Sequence, residues 1–345
     1  MTEHPVYQAA ANESGWHVWG LDRVVEDFKR AVITRPRHAY ILSGPDHVGK
    51  RTLAFEFGRA LVCQSPPASG VPCGDCSRCR RVTRGVHPDV TFANLETQTN
   101  RDRGTSKNMS LNIGTVREVS SSVALRPAEG DWRIAIVDDV ETMQETAQEA
   151  FLKTLEEPPP YTIILLLTTD ADLLLPTILS RCVTVSLQPA SNAIVIQALA
   201  ASGVSGARAE AIADASDGRV GWAFLAANDE SLLEKQLGAI RGARQWATAN
   251  EYGRLVTATR IADQFTKDRE SVFTQLLAVQ RTWRILLLDT FHLGSSADSQ
   301  PPVASDPQDL VSALRSIETC ILDLESNVRP RLALQTMVLK WPALS

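Results

Sequence analysis

Four of the six cysteines, Cys63, Cys73, Cys76 and Cys79, fall within 17 residues of one another. Four thiolates at this spacing satisfy tetrahedral Zn2+ and leave no coordination position for water, so the chemistry they offer is structural rather than catalytic. An iron–sulfur cluster is the rival reading. Cluster runs of the Cys-x2-Cys-x2-Cys type carry their fourth cysteine shortly afterwards, whereas here it lies upstream. Unliganded thiols are the third reading, and the spacing favours zinc. Arg78, Arg80, Arg81 and Arg84 flank the cluster; they offset the charge of a tetrathiolate centre and are also of a type that touches phosphate. Cys182 and Cys320 stand alone.

A second grouping is Gly44-Pro45-Asp46-His47-Val48-Gly49-Lys50, which follows the apolar run Ala39 to Leu42 and opens a helical stretch from Arg51 to Val62. In that context G-x-x-x-x-G-K is a phosphate-binding loop. Gly44 and Gly49 let backbone N–H groups turn inward, the helix N-terminus adds positive potential, and Lys50 reaches the β- and γ-phosphates. A plain tight turn is the bland alternative. Where the motif wants Ser or Thr on magnesium the chain has Arg51, and Thr52 lies about 100° further around the helix. ATP with Mg2+ is therefore read as a doubtful ligand of a degenerate site.

Ile134 to Val137 leads into Asp138-Asp139-Val140-Glu141, the form of an acidic strand end in which one carboxylate takes magnesium and the next orients the attacking water. Asp139 is a methylene shorter than the Glu that suits the second role, and a misplacement of that size costs about 100-fold in rate. An exposed acidic loop is the alternative. Arg181, in Leu175 to Cys182, is by itself a surface salt-bridge residue. Inside a nucleotide-binding oligomer it becomes a candidate arginine finger for a neighbour's γ-phosphate.

The elements that must position these residues alternate from Trp19 to about Leu187, where short apolar runs and helical stretches predict an α/β domain around a parallel sheet. Three strands are legible: Ala39 to Leu42, Ile134 to Val137 and Ile163 to Leu167. A helix from about Met143 to Glu156 is stopped by Pro158-Pro159-Pro160. The polar segment Leu95 to Asn112 reads as a mobile loop. Alanine-rich helices follow at about 191–201, 207–214 and 220–227, and then longer helical patterns at 231–247, 251–293 (with a break) and 307–340, with a polar loop from Ser295 to Pro307. The rest of the chain reads as all-α.

The 345 residues are 44% hydrophobic and 22% charged, ordinary for a soluble globular protein of two or three domains. No apolar run approaches the roughly 18 residues of a membrane span. Met1 to Ser14 is polar and fits neither a secretory signal nor a transit peptide, so a cytoplasmic location is expected. The net charge of -5 argues against gripping DNA by bulk electrostatics alone.

Taken in order, these motifs resemble the bacterial clamp-loader family of AAA+ proteins. The resemblance runs through His38 to Pro45, the Cys63 to Cys79 module, His87-Pro88-Asp89, Glu149 to Pro159, Leu175 to Cys182 and Asn327 to Leu334. It implies an AAA+ domain with a zinc module over 1–187, a helical lid over 188–229 and an α-helical collar over 230–345 that holds a pentameric ring. Within the family the departures point to the delta-prime type of DNA polymerase III subunit: Arg51 at the magnesium position, Asp139 at the water-orienting position, and Gly221 where a second sensor arginine is expected, with Arg219 two residues early. The end at Ser345, without the long extension of a tau-type subunit, agrees with this. The implied role is structural, part of the polymerase holoenzyme at the replisome. The subunit would sit among motor (tau/gamma) and delta subunits, offer Arg181 to a neighbour's ATP, and support loading of the β sliding clamp on primed DNA. Two alternatives stand beside it. One is an ATP-hydrolysing motor subunit or related AAA+ ATPase; the other is a zinc-dependent DNA-binding protein on an AAA+ scaffold, which the net charge disfavours.

Overall fold

The computed structural model describes residues 12, 15–65, 69–101, 110–291 and 306–343. The N-terminal reading of Met1 to Ser14, apart from Asn12, lies outside the described residues, as do 102–109 and 295–305 of the two polar loops. The chain divides into two compact units, 1–228 and 229–345.

The first unit is built on five strands: β1 (Ala39–Ser43), β2 (Val90–Ala93), β3 (Arg133–Val137), β4 (Thr162–Thr168) and β5 (Val183–Ser186). They form one sheet in the order β2-β3-β4-β1-β5, and every neighbouring pair is parallel. Helices cover both faces of such a sheet, so its central strands read as unbroken apolar runs; β1, β3 and β4 are buried almost throughout. The edge strands β2 and β5 are short, and of their residues only Ala93 is buried. Val-Thr-Phe-Ala and Val-Thr-Val-Ser carry no such run, so both strands are additions to the three expected.

Successive strand residues point to opposite faces. Tyr40 and Leu42 join Phe28, Phe55, Phe57, Ile134, Ile136 and Leu165 on one side, where Phe57 meets Phe28 edge-on with 4.6 Å between ring centroids. Ile41, Ala135, Val137, Ile164 and Leu166 pack on the other side against Val116, Phe151 and Leu155. The first side is covered by α1 (Asp22–Ile33) and α2 (Lys50–Val62), and the α3 helix (Ser77–Thr83) carries Cys79, the last cysteine of the module.

The segment expected as a mobile loop from Leu95 to Asn112 opens instead with a helix, α4 (Leu95–Arg101). The side chain of Asn94 accepts from Thr97 N–H at 2.8 Å, an N-cap contact that local composition conceals. Next come α5 (Ile113–Ala124), α6 (Glu145–Glu156), the short α7 (Pro176–Leu179), and then α8 (Asn192–Ala201), α9 (Ala207–Ser216) and α10 (Val220–Asn228).

The second unit consists of α11 (Glu230–Thr248), α12 (Glu251–Gln264), α13 (Arg269–Thr290), α14 (Pro307–Glu325) and α15 (Pro330–Val338). The expected break in 251–293 falls between α12 and α13, where Asp268 caps the new helix by accepting from Ser271 N–H at 3.0 Å. The stretch expected as one helix over 307–340 is two. Asn327 has a left-handed backbone, φ 62°, and Pro330 starts α15 at a position where its missing N–H is no loss. Inside this unit Trp246, Trp283 and Trp341 surround Arg254, 4% exposed. Arg254 donates to the carbonyls of Ala247, Trp341 and Pro342 at 2.6, 3.2 and 2.8 Å and lies within 5.8 Å of two indole rings, so the buried cation is paired by carbonyl oxygens and ring faces. Among the described residues no helix is long and apolar enough to cross a membrane.

Candidate functional site

In an open parallel sheet, ligands collect at the carboxyl edge of the strands. Here the register sets Ser43 beside Thr168 and Val137 beside Leu166, so the loop after β1 and the acids after β3 emerge at one edge. Between them opens a cleft of about 310 Å³, lined by Asp46 to Thr52, Asp138, Asp139, the strip His17 to Trp19, and Val220, Gly221, Phe224 and Leu225 of α10. That volume lies at the small end of ligand pockets. The structure thus brings Gly49, Lys50, Arg51, Thr52, Asp138 and Asp139 together, with Gly44 at the base of the same loop.

The loop has the form its glycines predict. Gly49 holds a left-handed φ of 108° at the N-cap of α2. A side chain at Gly44 would run into the Leu187 carbonyl. Lys50 is buried, and its Nζ donates to the carbonyls of Gly44 at 2.6 Å and Pro45 at 3.0 Å, with Asp46 at 3.7 Å.

Arg51 turns across the cleft. Its Nε and Nη2 donate to Asp138 Oδ2 at 2.9 and 2.7 Å, and its guanidinium lies 5.1 Å from the Phe92 ring centroid. Asp138 is buried, and its other oxygen accepts from Asp139 N–H at 3.1 Å. Asp139 adopts a left-handed φ of 58°, and its Oδ2 accepts from Leu95 N–H at 3.1 Å at the start of α4. Burial raises the Asp139 pKa, and the Leu95 N–H works against it. The residues present do not fit Mg2+: a guanidinium occupies the carboxylate a metal would take, and the position that should supply a hydroxyl is Arg51 itself.

Sequence reasoning placed a missing arginine at Gly221, and there is a structural counterpart. Gly221 N–H donates to the His47 carbonyl at 2.8 Å, and a Cβ at Gly221 would stand 2.8 Å from that same oxygen. The α10 backbone therefore rests directly on the phosphate loop. Arg219 lies instead at the α9–α10 corner, donating to Ser216 O at 2.8 Å with its guanidinium 5.6 Å from the Trp222 ring.

Arg181 does not line the cleft of its own chain. It sits just past α7, where Nη2 meets Glu156 Oε1 at 2.7 Å and Nη1 donates to Thr177 O at 2.8 Å. About a third of its side chain stays exposed.

The sulfur atoms of Cys63, Cys73, Cys76 and Cys79 all lie within 4.8 Å of one another, with Cys63–Cys73 at 3.5 Å and Cys73–Cys79 at 3.9 Å. Zn–S bonds of about 2.3 Å in a tetrahedron require S–S edges of about 3.8 Å, so the donor set fits zinc. The N–H groups of Cys73 and Cys79 point at the sulfurs of Cys63 and Cys76, at 3.5 and 3.3 Å. Burial opposes thiolate formation at Cys76, yet the N–H groups of Cys79 and Gln64 and the thiols of Cys79 and Cys73 outweigh it and bring the pKa down to about 6. Burial alone pushes Cys182 up to about 12, and it is the main cause of a similar rise at Cys320. Two of the flanking arginines have a different partner from the thiolates: Arg78 and Arg81 both pair with Glu129. Arg80 and Arg84 are exposed.

Sequence reasoning gave no role to Phe92 or to Asp89. Asp89 is fully buried and accepts from Ala128 N–H at 2.6 Å, Glu129 N–H at 2.9 Å and Arg133 at 3.1 Å. It thereby ties the loop bearing Glu129 to the edge of the sheet. Phe92 lies in no spacing pattern that sequence could expose, and Asp89 entered only as part of His87-Pro88-Asp89.

Comparison with known proteins bears on the same region. A family model described as "DNA polymerase III, delta subunit" matches residues 20–191. A DNA polymerase III subunit delta' from Pseudomonas aeruginosa is 36% identical over 146 residues, 42% of this chain and 42% of that protein. A DNA polymerase III subunit tau/gamma from Haemophilus influenzae is 32% identical over 166 residues, 48% of this chain and 22% of that protein. The chain thus spans less than half the length of these curated relatives. A solved DNA polymerase III gamma subunit-related protein from Thermotoga maritima aligns over 93% of this chain and 97% of its own, at 19% identity and a TM-score of 0.41. The phosphate loop, the cysteine module and the strand-end acids all fall inside the matched segment, so it is through residues 20–191 that the chain matches the DNA polymerase III delta subunit family.

Proposed function

We propose that this protein is the delta-prime type, stator subunit of a DNA polymerase III clamp loader. It holds a fixed place in a pentameric ring with motor (tau/gamma) and delta subunits, and supports ATP-dependent loading of the β sliding clamp on primed DNA. In this reading residues 1–187 form the nucleotide-binding-type domain, 188–229 its lid and 230–345 the collar, and the four cysteines hold a structural zinc. The observation that carries the reading is the ion pair of Arg51 with Asp138 at 2.7 Å, which removes magnesium chemistry from the chain's own cleft. Arg181, tethered by Glu156 and Thr177 yet partly exposed, is then the residue offered to the ATP of an adjacent motor subunit.

Reconstitution with motor and delta subunits tests this. Arg181→Ala should leave the ring assembled by size-exclusion chromatography. It should lower hydrolysis at the one site it serves by on the order of 10³, so DNA-stimulated turnover falls by that site's share. Unchanged turnover in a complex containing the variant would sink the trans role, and failure of the wild-type chain to join the complex would sink the assignment. Clear DNA-dependent ATP turnover by the purified chain would favour the motor reading instead.

A further inference from the structure

The cleft between the loop after β1 and the end of β3 has the groups to receive phosphate but not to hold a divalent metal. A metal there needs a hydroxyl from the residue after Lys50 and a free carboxylate oxygen opposite. The chain puts a guanidinium at the first position, and Asp138 is already taken through both oxygens, by Arg51 and by Asp139 N–H. A guanidinium is a permanent cation, and the position of Arg51 is over-determined by the carboxylate on one side and the Phe92 ring on another. Two of its five N–H donors serve Asp138, and a guanidinium arranges its donors in a fork that suits phosphate oxygens.

We propose that Arg51 is the built-in cation of this cleft, so that the site takes the phosphates of a nucleoside diphosphate without any divalent metal. Charge selects the length of the phosphate chain. Lys50 and Arg51 bring two positive charges against the carboxylates of Asp46, Asp138 and Asp139 on the same lining. A site with Lys50, a divalent metal in place of Arg51 and the same acids would carry one more positive charge, and Gly221 adds none. That deficit falls hardest on a third phosphate. The apolar wall of Val18, Val48 and Phe224 is left for the base. The inference does not depend on Arg181 acting in trans.

Calorimetric titration of ADP and of ATP into the full chain, in magnesium chloride and separately in EDTA, decides it. ADP should bind with the same Kd in both buffers within about twofold, and ATP in EDTA should bind more weakly than ADP. Arg51→Thr supplies the hydroxyl and releases Asp138, so magnesium should now tighten nucleotide binding by at least about tenfold, equivalent to roughly 1.4 kcal/mol. A tenfold tightening by magnesium in the wild-type chain would overturn the proposal. So would the absence of ADP binding in both buffers up to millimolar concentration. The wild-type titrations decide the matter even if Arg51→Thr fails to fold.

Discussion

Charged side chains that must be buried are informative here because each has a partner of a particular kind. Lys50 rests on two carbonyls, Asp138 on the half-buried Arg51, and Asp89 on two backbone N–H groups and Arg133. Beside Asp89, His87 is 3% exposed, and its Nδ1 accepts from Asp89 N–H at 3.1 Å, which places the ring proton on Nε2. Burial lowers the His87 pKa, only partly offset by the Asp89 carboxylate. An unfolded histidine titrates near about 6.5. Below that pH the unfolded chain takes a proton that the folded chain refuses, so this contribution to stability is present above about pH 6.5 and is lost on acidification. The melting temperature should accordingly fall between about pH 7.5 and 5.5, and His87→Gln should make that fall shallower. An identical pH slope in the variant would show that His87 is not the group responsible.

At the scale of elements, the cysteine module joins the end of α2 to α3, with Cys63 at the C-cap of one and Cys76 at the N-cap of the other. The α3 helix spans only Ser77–Thr83, too short to persist on propensity alone. Its order therefore comes from tertiary contacts: the four-cysteine cluster, Val82 in the core on one side of the sheet, and the pairing of Arg78 and Arg81 with Glu129. Metal analysis of the purified chain should return one zinc per molecule, and a strong chelator should lower its melting temperature. Hydrogen exchange after chelation should rise across α3 while β1 and β4 stay protected, because the sheet core does not include the thiols. Protection of α3 unchanged by complete zinc removal would contradict this account.

For the molecule as a whole, the hydrophobic residues sort into clusters that respect the division at 228/229. Two of them sandwich the sheet, and the third, built around Trp246, Trp283 and Trp341, lies entirely within 229–345. A unit with its own core should fold by itself. Expressed alone, residues 229–345 should give a helical circular dichroism spectrum and a single cooperative melt. A non-cooperative melt would mean that this unit depends on the first.

What the amino-acid order determined by itself were the features carried by local spacing. These include the cysteine quartet, the glycines and lysine of the phosphate loop, the three buried strands, and the odd residues Arg51, Asp139 and Gly221. Each rests on a turn, a helical period or a ligand count, which neighbouring residues suffice to express. The edge strands β2 and β5, the helix opening at Leu95 and the division of 307–340 were not legible, because partial burial and caps blur their periodicity. Only the tertiary structure decided how the odd residues are used. Arg51 meets Asp138, 87 positions away, and Gly221 meets His47 across the cleft. Contacts at such separations depend on strand order, and strand order is a property of the folded sheet rather than of any segment in it.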